Sequence, residues 1–305
     1  MLQNIEELMN ESRSVAGINY WLLIHHHFES FRKSVTLNKI AEAGDSANSF
    51  LFIIQKLEYF DLHLKLGQSL VEFFERFPPV LALPTILQQL AVTYDLQKKF
   101  TEAEKCFHKA LSVVTPLAQN DKNARYVLAS LWYNRAQQAR NGESKQELRS
   151  YAEKALEIFE ELENTPAVVV CLVAISHLTE SKQAEERRKI CAQALDIGKT
   201  LNDNNLIALA QINLGLAEIE LNNMAYGLSL VKDSIAIIEK NSTWRYIALA
   251  YTHLAEALAK CHKHAEAQKE LNYAKEIFRR NKIELYWDKV NEVQQLIEQS
   301  SAKLA

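Results

Sequence analysis

The chain has 305 residues, 48% hydrophobic and 24% charged, which is ample material for a core and too balanced for extended disorder. A formal net charge of -3, with both signs interspersed, gives no basic footprint for nucleic acid or an anionic membrane. Seven glycines and five prolines, against average usage of roughly 7% and 5%, leave few turn-formers and predict a chain that is almost all helix.

The opening MLQNIEELMNESRS is acidic and polar rather than a basic segment before an apolar run, and no stretch approaches the length of a membrane span. A cytoplasmic protein without membrane contact is expected. GINYWLLIHHHFESFRKSVTLNKIAEAG reads as one long helix ending near Gly44. SANSFLFIIQKLEYF and DLHLKLGQSLVEFFERF follow as two amphipathic helices, stopped by Phe77-Pro78-Pro79.

From Pro84 onward the chain repeats itself. Units beginning at Pro84, Ala129, Val168, Ala208 and Ala248 align, with starts 45, 39, 40 and 40 residues apart. Their eighth positions are Ala91, Ala136, Ile175, Gly215 and Ala255; their twenty-seventh are Ala110, Ala155, Ala194, Ser234 and Ala274. Small side chains at these places let two helices approach closely. Thr101 to Glu104 and Ser144 to Glu147 read as capping boxes that start second helices. In IELYWDKVNEVQQLIEQ, apolar Leu285, Val290, Val293, Leu296 and Ile297 fit a terminal helix covering the last unit.

With Leu90, Ala91, Tyr94, Phe100, Ala103, Phe107 and Ala110 in the first unit and Trp132-Tyr133-Asn134 in the second, the pattern resembles the tetratricopeptide repeat over about residues 84 to 281. The spacing exceeds the standard 34 and is similar to the lengthened repeats of bacterial regulatory and signalling proteins. The third unit departs most, with Ile175 at position 8 and Arg187 at position 20. The resemblance implies an all-α, right-handed superhelical solenoid of antiparallel helix pairs. Its expected parts are a helical N-terminal region with a divergent repeat (1–80), five repeats (81–282) and a capping helix (283–305), in one continuous array.

Several clusters invite a chemical reading. In KCHKHAEA, Cys261, His262 and His264 are soft ligands close together, but the register makes them a hairpin corner, with His264 standing where the first unit has Phe100. His25, His26 and His27 sit about 100° apart on a helix and cannot all face one metal. Read as a helix-turn-helix, residues 37 to 58 would present Phe50, Leu51 and Phe52 with almost no phosphate-contacting charge. Cys106, Cys171, Cys191 and Cys261 show no C-x-x-C pair and read as reduced thiols. No phosphate cradle, nucleophile elbow or zinc-protease motif occurs, so no enzyme, metal or cofactor is expected.

The resemblance implies that the first helix of each unit lines a concave groove through positions 2, 5, 6, 9 and 12 to 13. Carried over, these place Gln88, Gln89 and Asp95, then Tyr133, Asn134, Gln137 and Arg140, in the groove. Ser176 and Thr179, Asn213, and Thr252, His253 and Glu256 follow from the later units. Asn134 and Asn213 carry amides that both donate to and accept from an extended peptide backbone. The expected function is a non-enzymatic scaffold or adaptor for a protein or peptide, with homo-oligomerisation left open. The alternatives are a peptide-responsive bacterial regulator that changes shape on binding and, third, a metal-dependent enzyme.

Overall fold

The computed structural model describes residues 2–15, 18–57, 59–138, 143–241, 244–280 and 286–302. Among these the chain is all α-helix apart from a 3-10 turn at Ser181–Gln183, with no strand. It gathers into two compact units, Met1–Asn134 and Arg135–Ala305.

The first unit holds α1 (Leu2–Val15), α2 (Ile18–Thr36), α3 (Ile40–Lys56), α4 (Phe60–Phe74), α5 (Ala82–Leu96), α6 (Phe100–Ala118) and all but the last two residues of α7 (Lys122–Ala136). Helix α2 packs on α3, α3 on α4 and α5, α4 on α5, and α5 on α6, while α1 lies against α2 and α4. An aromatic cluster holds the N-terminal end. Phe31 is fully buried and stands edge-on to Phe50 and Phe73, with ring centroids 6.0 and 5.7 Å away. Each such ring contributes roughly 1.5–3 kcal/mol by leaving water, plus a smaller aromatic term.

The second unit holds α8 (Lys145–Glu161), α9 (Thr165–Leu178), α10 (Ala184–Thr200), α11 (Asn204–Glu220), α12 (Met224–Asn241), α13 (Trp244–Lys260), α14 (His264–Arg280) and α15 (Trp287–Ala302). Each helix packs on the next from α8 to α15, and α11 also touches both α9 and α13. The small positions of the repeat lie where helices cross. Ala155, Ala194, Ser234, Ala255 and Ala274 are completely buried. Gly215 and Gly227 show why size matters: a Cβ on Gly227 would stand 2.4 Å from the Gly215 carbonyl oxygen. Val290, Val293 and Ile297 of α15 are buried against the last hairpin.

Three local expectations are corrected. The segment to Gly44 is two helices rather than one. Asn38 adopts φ 56°, the Asn38 amide donates to the Val35 carbonyl, and the Lys39 amide donates to that of Ser34, which closes α2 at a corner. Gly44 then falls inside α3, where an added Cβ would lie 2.3 Å from the Ala82 Cβ; it is a packing glycine, not a stop. The proposed box at Thr101 is absent, because the corner at Lys98 starts α6 at Phe100 with Lys99 as its uncapped N-cap. Ser144 does cap: its hydroxyl accepts from the Glu147 amide at 3.2 Å and the Glu147 carboxylate accepts from the Ser144 amide at 2.8 Å.

Candidate functional site

The first helices of successive hairpins carry the polar side chains of the repeat face, and each unit has its own set. In the first unit the set is a buried network between α3, α4 and α5. The Gln55 amide donates to the Gln89 carbonyl and to Thr93 Oγ1, both at 2.9 Å, and Thr93 Oγ1 lies 3.1 Å from His63 Nδ1. The threonine hydroxyl can donate one hydrogen bond and accept two, so it serves Gln55 and the His63 ring together. Burial lowers His63 to about 4, so the ring is neutral at pH 7. The Gln89 side chain turns to Asn48 at 3.4 Å. Gln88, Tyr133 and Asn134 are half-buried, and Asp95 is buried.

The second unit presents a charged ladder. Arg187 of α10 pairs with Glu220 of α11, and Glu220 pairs with Lys260 of α13 at 2.5 Å. Lys260 reaches Glu256 at 3.5 Å, and Glu256 meets Lys289 of α15 at 3.0 Å. Burial pushes the Glu256 carboxyl up, but His253, Lys289 and Lys260 more than reverse this and hold it well below the carboxylate range. Burial pulls Lys289 down, and Glu256 with Glu292 raises it above its ordinary value. Alternating signs across four helices satisfy one another, which is the condition for keeping charges in a shielded place.

Beside the ladder stand two imidazoles. His177 of α9 and His253 of α13 meet edge to face with ring centroids 6.1 Å apart, and His253 Nδ1 lies 3.5 Å from Glu256 Oε2. His177 is an exposed residue, and its imidazole is nonetheless lowered to about 4 by the protein packed around it, with the charges of His253 and Lys289 adding to that. On α11 the stripe Leu209, Asn213, Glu220 follows helical spacing; Leu209 is exposed, and Asn213 is 6% exposed. The Asn213 amide group donates to the Leu209 carbonyl at 3.0 Å, while its Oδ1 is enclosed with no hydrogen-bond partner among the described residues.

The predicted groove residues therefore fall into three groups. His253 and Glu256 meet each other beside the ladder on α13, while Asn213 lies on α11. Ser176 and Thr252 are fully enclosed, each hydroxyl donating to a carbonyl of its own helix, so neither presents an atom at a surface. Thr179, also buried, donates to the Ile175 carbonyl and accepts from Arg149. Gln137 is exposed just past α7, and Arg140 lies outside the described residues. His177, Arg187, Glu220, Lys260 and Lys289 were not foreseen. Glu220 and Lys260 stand at position 13 of their units, a groove position that could have found them; His177 at position 10 and Lys289 beyond the last repeat had no such signal.

The clusters singled out by composition divide between surface and packing: His25, His26 and His262 are exposed, and His27, Cys261 and His264 are half-buried. His25 stacks on Trp21 with centroids 5.2 Å apart, and both ring nitrogens of His264 are buried without a partner, as for a ring that replaces an aromatic. Among the described residues no three His, Cys, Asp or Glu side chains gather as metal ligands. Cys171 and Cys191 are buried and Cys106 and Cys261 half-buried; burial pushes Cys106 to about 11, far from a neutral-pH nucleophile. No described helix is long and apolar enough to cross a membrane.

No protein-family model matches the sequence, and no curated protein matches it. Solved structures do. A Rap protein complexed with competence and sporulation factor is 15% identical, with TM-score 0.55 over 99% of this chain and 88% of that one. Aspartyl phosphate phosphatase F from Bacillus subtilis is 15% identical, with TM-score 0.52 over 98% and 82%. A tetratricopeptide repeat protein from Parabacteroides merdae ATCC 43184 is 11% identical, with TM-score 0.53 over 90% and 98%. At these identities the likeness concerns fold: an all-α, tetratricopeptide-like helical repeat.

Proposed function

We propose that the protein is a non-enzymatic module that binds a protein or short peptide on the repeat face of its second unit. The observation that carries this reading is Asn213. An amide oxygen enclosed without a partner costs about 1–3 kcal/mol unless something donates to it, and a peptide N–H is the donor an extended ligand supplies. Exposed Leu209 one turn away offers an apolar contact beside it. Glu256 and Lys289 flank the same face, so side-chain charge on the ligand contributes to selectivity.

A second reading, a regulator that changes shape when its peptide binds, draws on the likeness to a Rap protein held with competence and sporulation factor. Both readings share the binding step and part at its consequence. Panning a displayed library of short peptides on the full chain tests the first. Selected peptides are expected to lose about tenfold in affinity with Asn213→Ala, the value of one hydrogen bond to a desolvated partner. Equal binding to both proteins, or no selectable peptide, refutes it. Compaction in X-ray scattering on adding a selected peptide favours the regulator, and binding without compaction favours the scaffold.

A further inference from the structure

The repeat face of the second unit is crossed by its own side chains. Helices α9 and α13 belong to hairpins two apart, with α11 packed against both, yet His177 from α9 and His253 from α13 meet with ring centroids 6.1 Å apart. A contact between first helices two repeats apart bridges the face that α11 contributes.

We propose that the His177–His253 contact is a proton-controlled latch over the α11 face, closed when the His177 ring is neutral and released when it takes up a proton. The inference rests on the reading of this face as the peptide site and names its regulation. The groups around His177 set the sign. Arg187 faces it from α10, Glu218 and Glu220 lie on α11, His253, Glu256 and Lys260 on α13, and Lys289 with Glu292 on α15. Glu256 favours a charged His177, but it is already paired with Lys289 and Lys260. Lys289, Arg187 and His253 oppose the charge. Protonation therefore favours any arrangement in which the ring leaves.

Linkage gives the window. A ring that titrates at its ordinary 6.5 when released and at about 4 when latched leaves the closed form fully favoured above 6.5, losing ground as pH falls toward 4. Between pH 7.5 and 5.0 the ratio of closed to open falls by at most about 30-fold, and by about tenfold once the exposure of His177 is allowed for.

Spin labels at Glu180→Cys and Lys263→Cys, beyond the ends of α9 and α13, in a full chain with Cys106 and Cys261 changed to Ser, read the separation without ligand. The expected result is a population moving to longer distance at pH 5.0, with the ratio changing about tenfold, and no pH effect in His177→Gln, whose side chain is neutral throughout. An unchanged distribution in the parent chain, or the same shift in the His177→Gln chain, overturns the latch. Because no peptide is present, failure of the binding reading appears only in the panning experiment, and failure of the latch only here.

Discussion

Replacing Gly227 by alanine tests the claim that close approach of α11 and α12 fixes the fourth hairpin. In an open helix the change would stabilise by about 1 kcal/mol through helix propensity. Here the added Cβ lies 2.4 Å from the Gly215 oxygen, 2.7 Å from Ile219 Cγ1 and 3.0 Å from the Ile219 nitrogen, and two of these three atoms are backbone. The helices must part by about 1 Å to reach ordinary contact, which forfeits a quarter to a half of each dispersion contact along the seam. Leu216, Ile219, Leu228 and Val231 are buried in that core. An overpacking cost of about 3 kcal/mol, less the propensity gain, leaves a net loss of about 2 kcal/mol. Native-state amide exchange in α11 and α12 should speed up about 30-fold, while Gly198→Ala, whose Cβ meets nothing nearer than 3.3 Å, should change it little. Exchange that is unchanged or slower in Gly227→Ala would refute the close-approach argument.

Two further outcomes follow from the buried histidine and the cap. His63 is neutral in the folded first unit because burial lowers it to about 4, whereas the unfolded chain accepts the proton near 6.5. Its contribution is thus complete above 6.5 and falls as pH drops toward 4, with about 2 kcal/mol lost by pH 5; denaturant titrations at pH 7 and 5 should show that slope flattened in His63→Leu. Ser144→Ala removes the hydroxyl of the capping box and should lower stability at the start of α8 by about 1 kcal/mol, seen as faster exchange of the Glu147 amide.

What could be read in advance is what depends on neighbours in sequence. The capping box at Ser144 needs only residues three apart, and the small positions at Ala255 and Ala274 need only the period. Thr101 has the same pattern as Ser144, but the left-handed residue at Lys98 sets the helix start before Thr101 is reached. Arg187 looked like a flaw at a small position; its partner Glu220 lies 33 residues on, and only packing of α10 on α11 joins them. The His177–His253 contact is still less accessible, because it depends on how strongly three consecutive hairpins curve. No single helical period encodes that angle, so a groove assigned by position found His253 and passed over His177.

The corners hold a consequence of their own. Asn38, Lys98, Glu163, Asn202, Asn222 and His262 all adopt φ between 52 and 68°, and in each case two amides donate to carbonyls of the final turn of the helix they end. Asn tolerates this conformation, whereas in Lys98, Glu163 and His262 it is disfavoured by about 1 kcal/mol or more, so those three turns hold by hydrogen-bond geometry in spite of residue type. Closure that does not wait for a glycine is portable. A duplicated hairpin of this kind brings its own ending with it, and an array can lengthen by copying while its corner side chains drift freely.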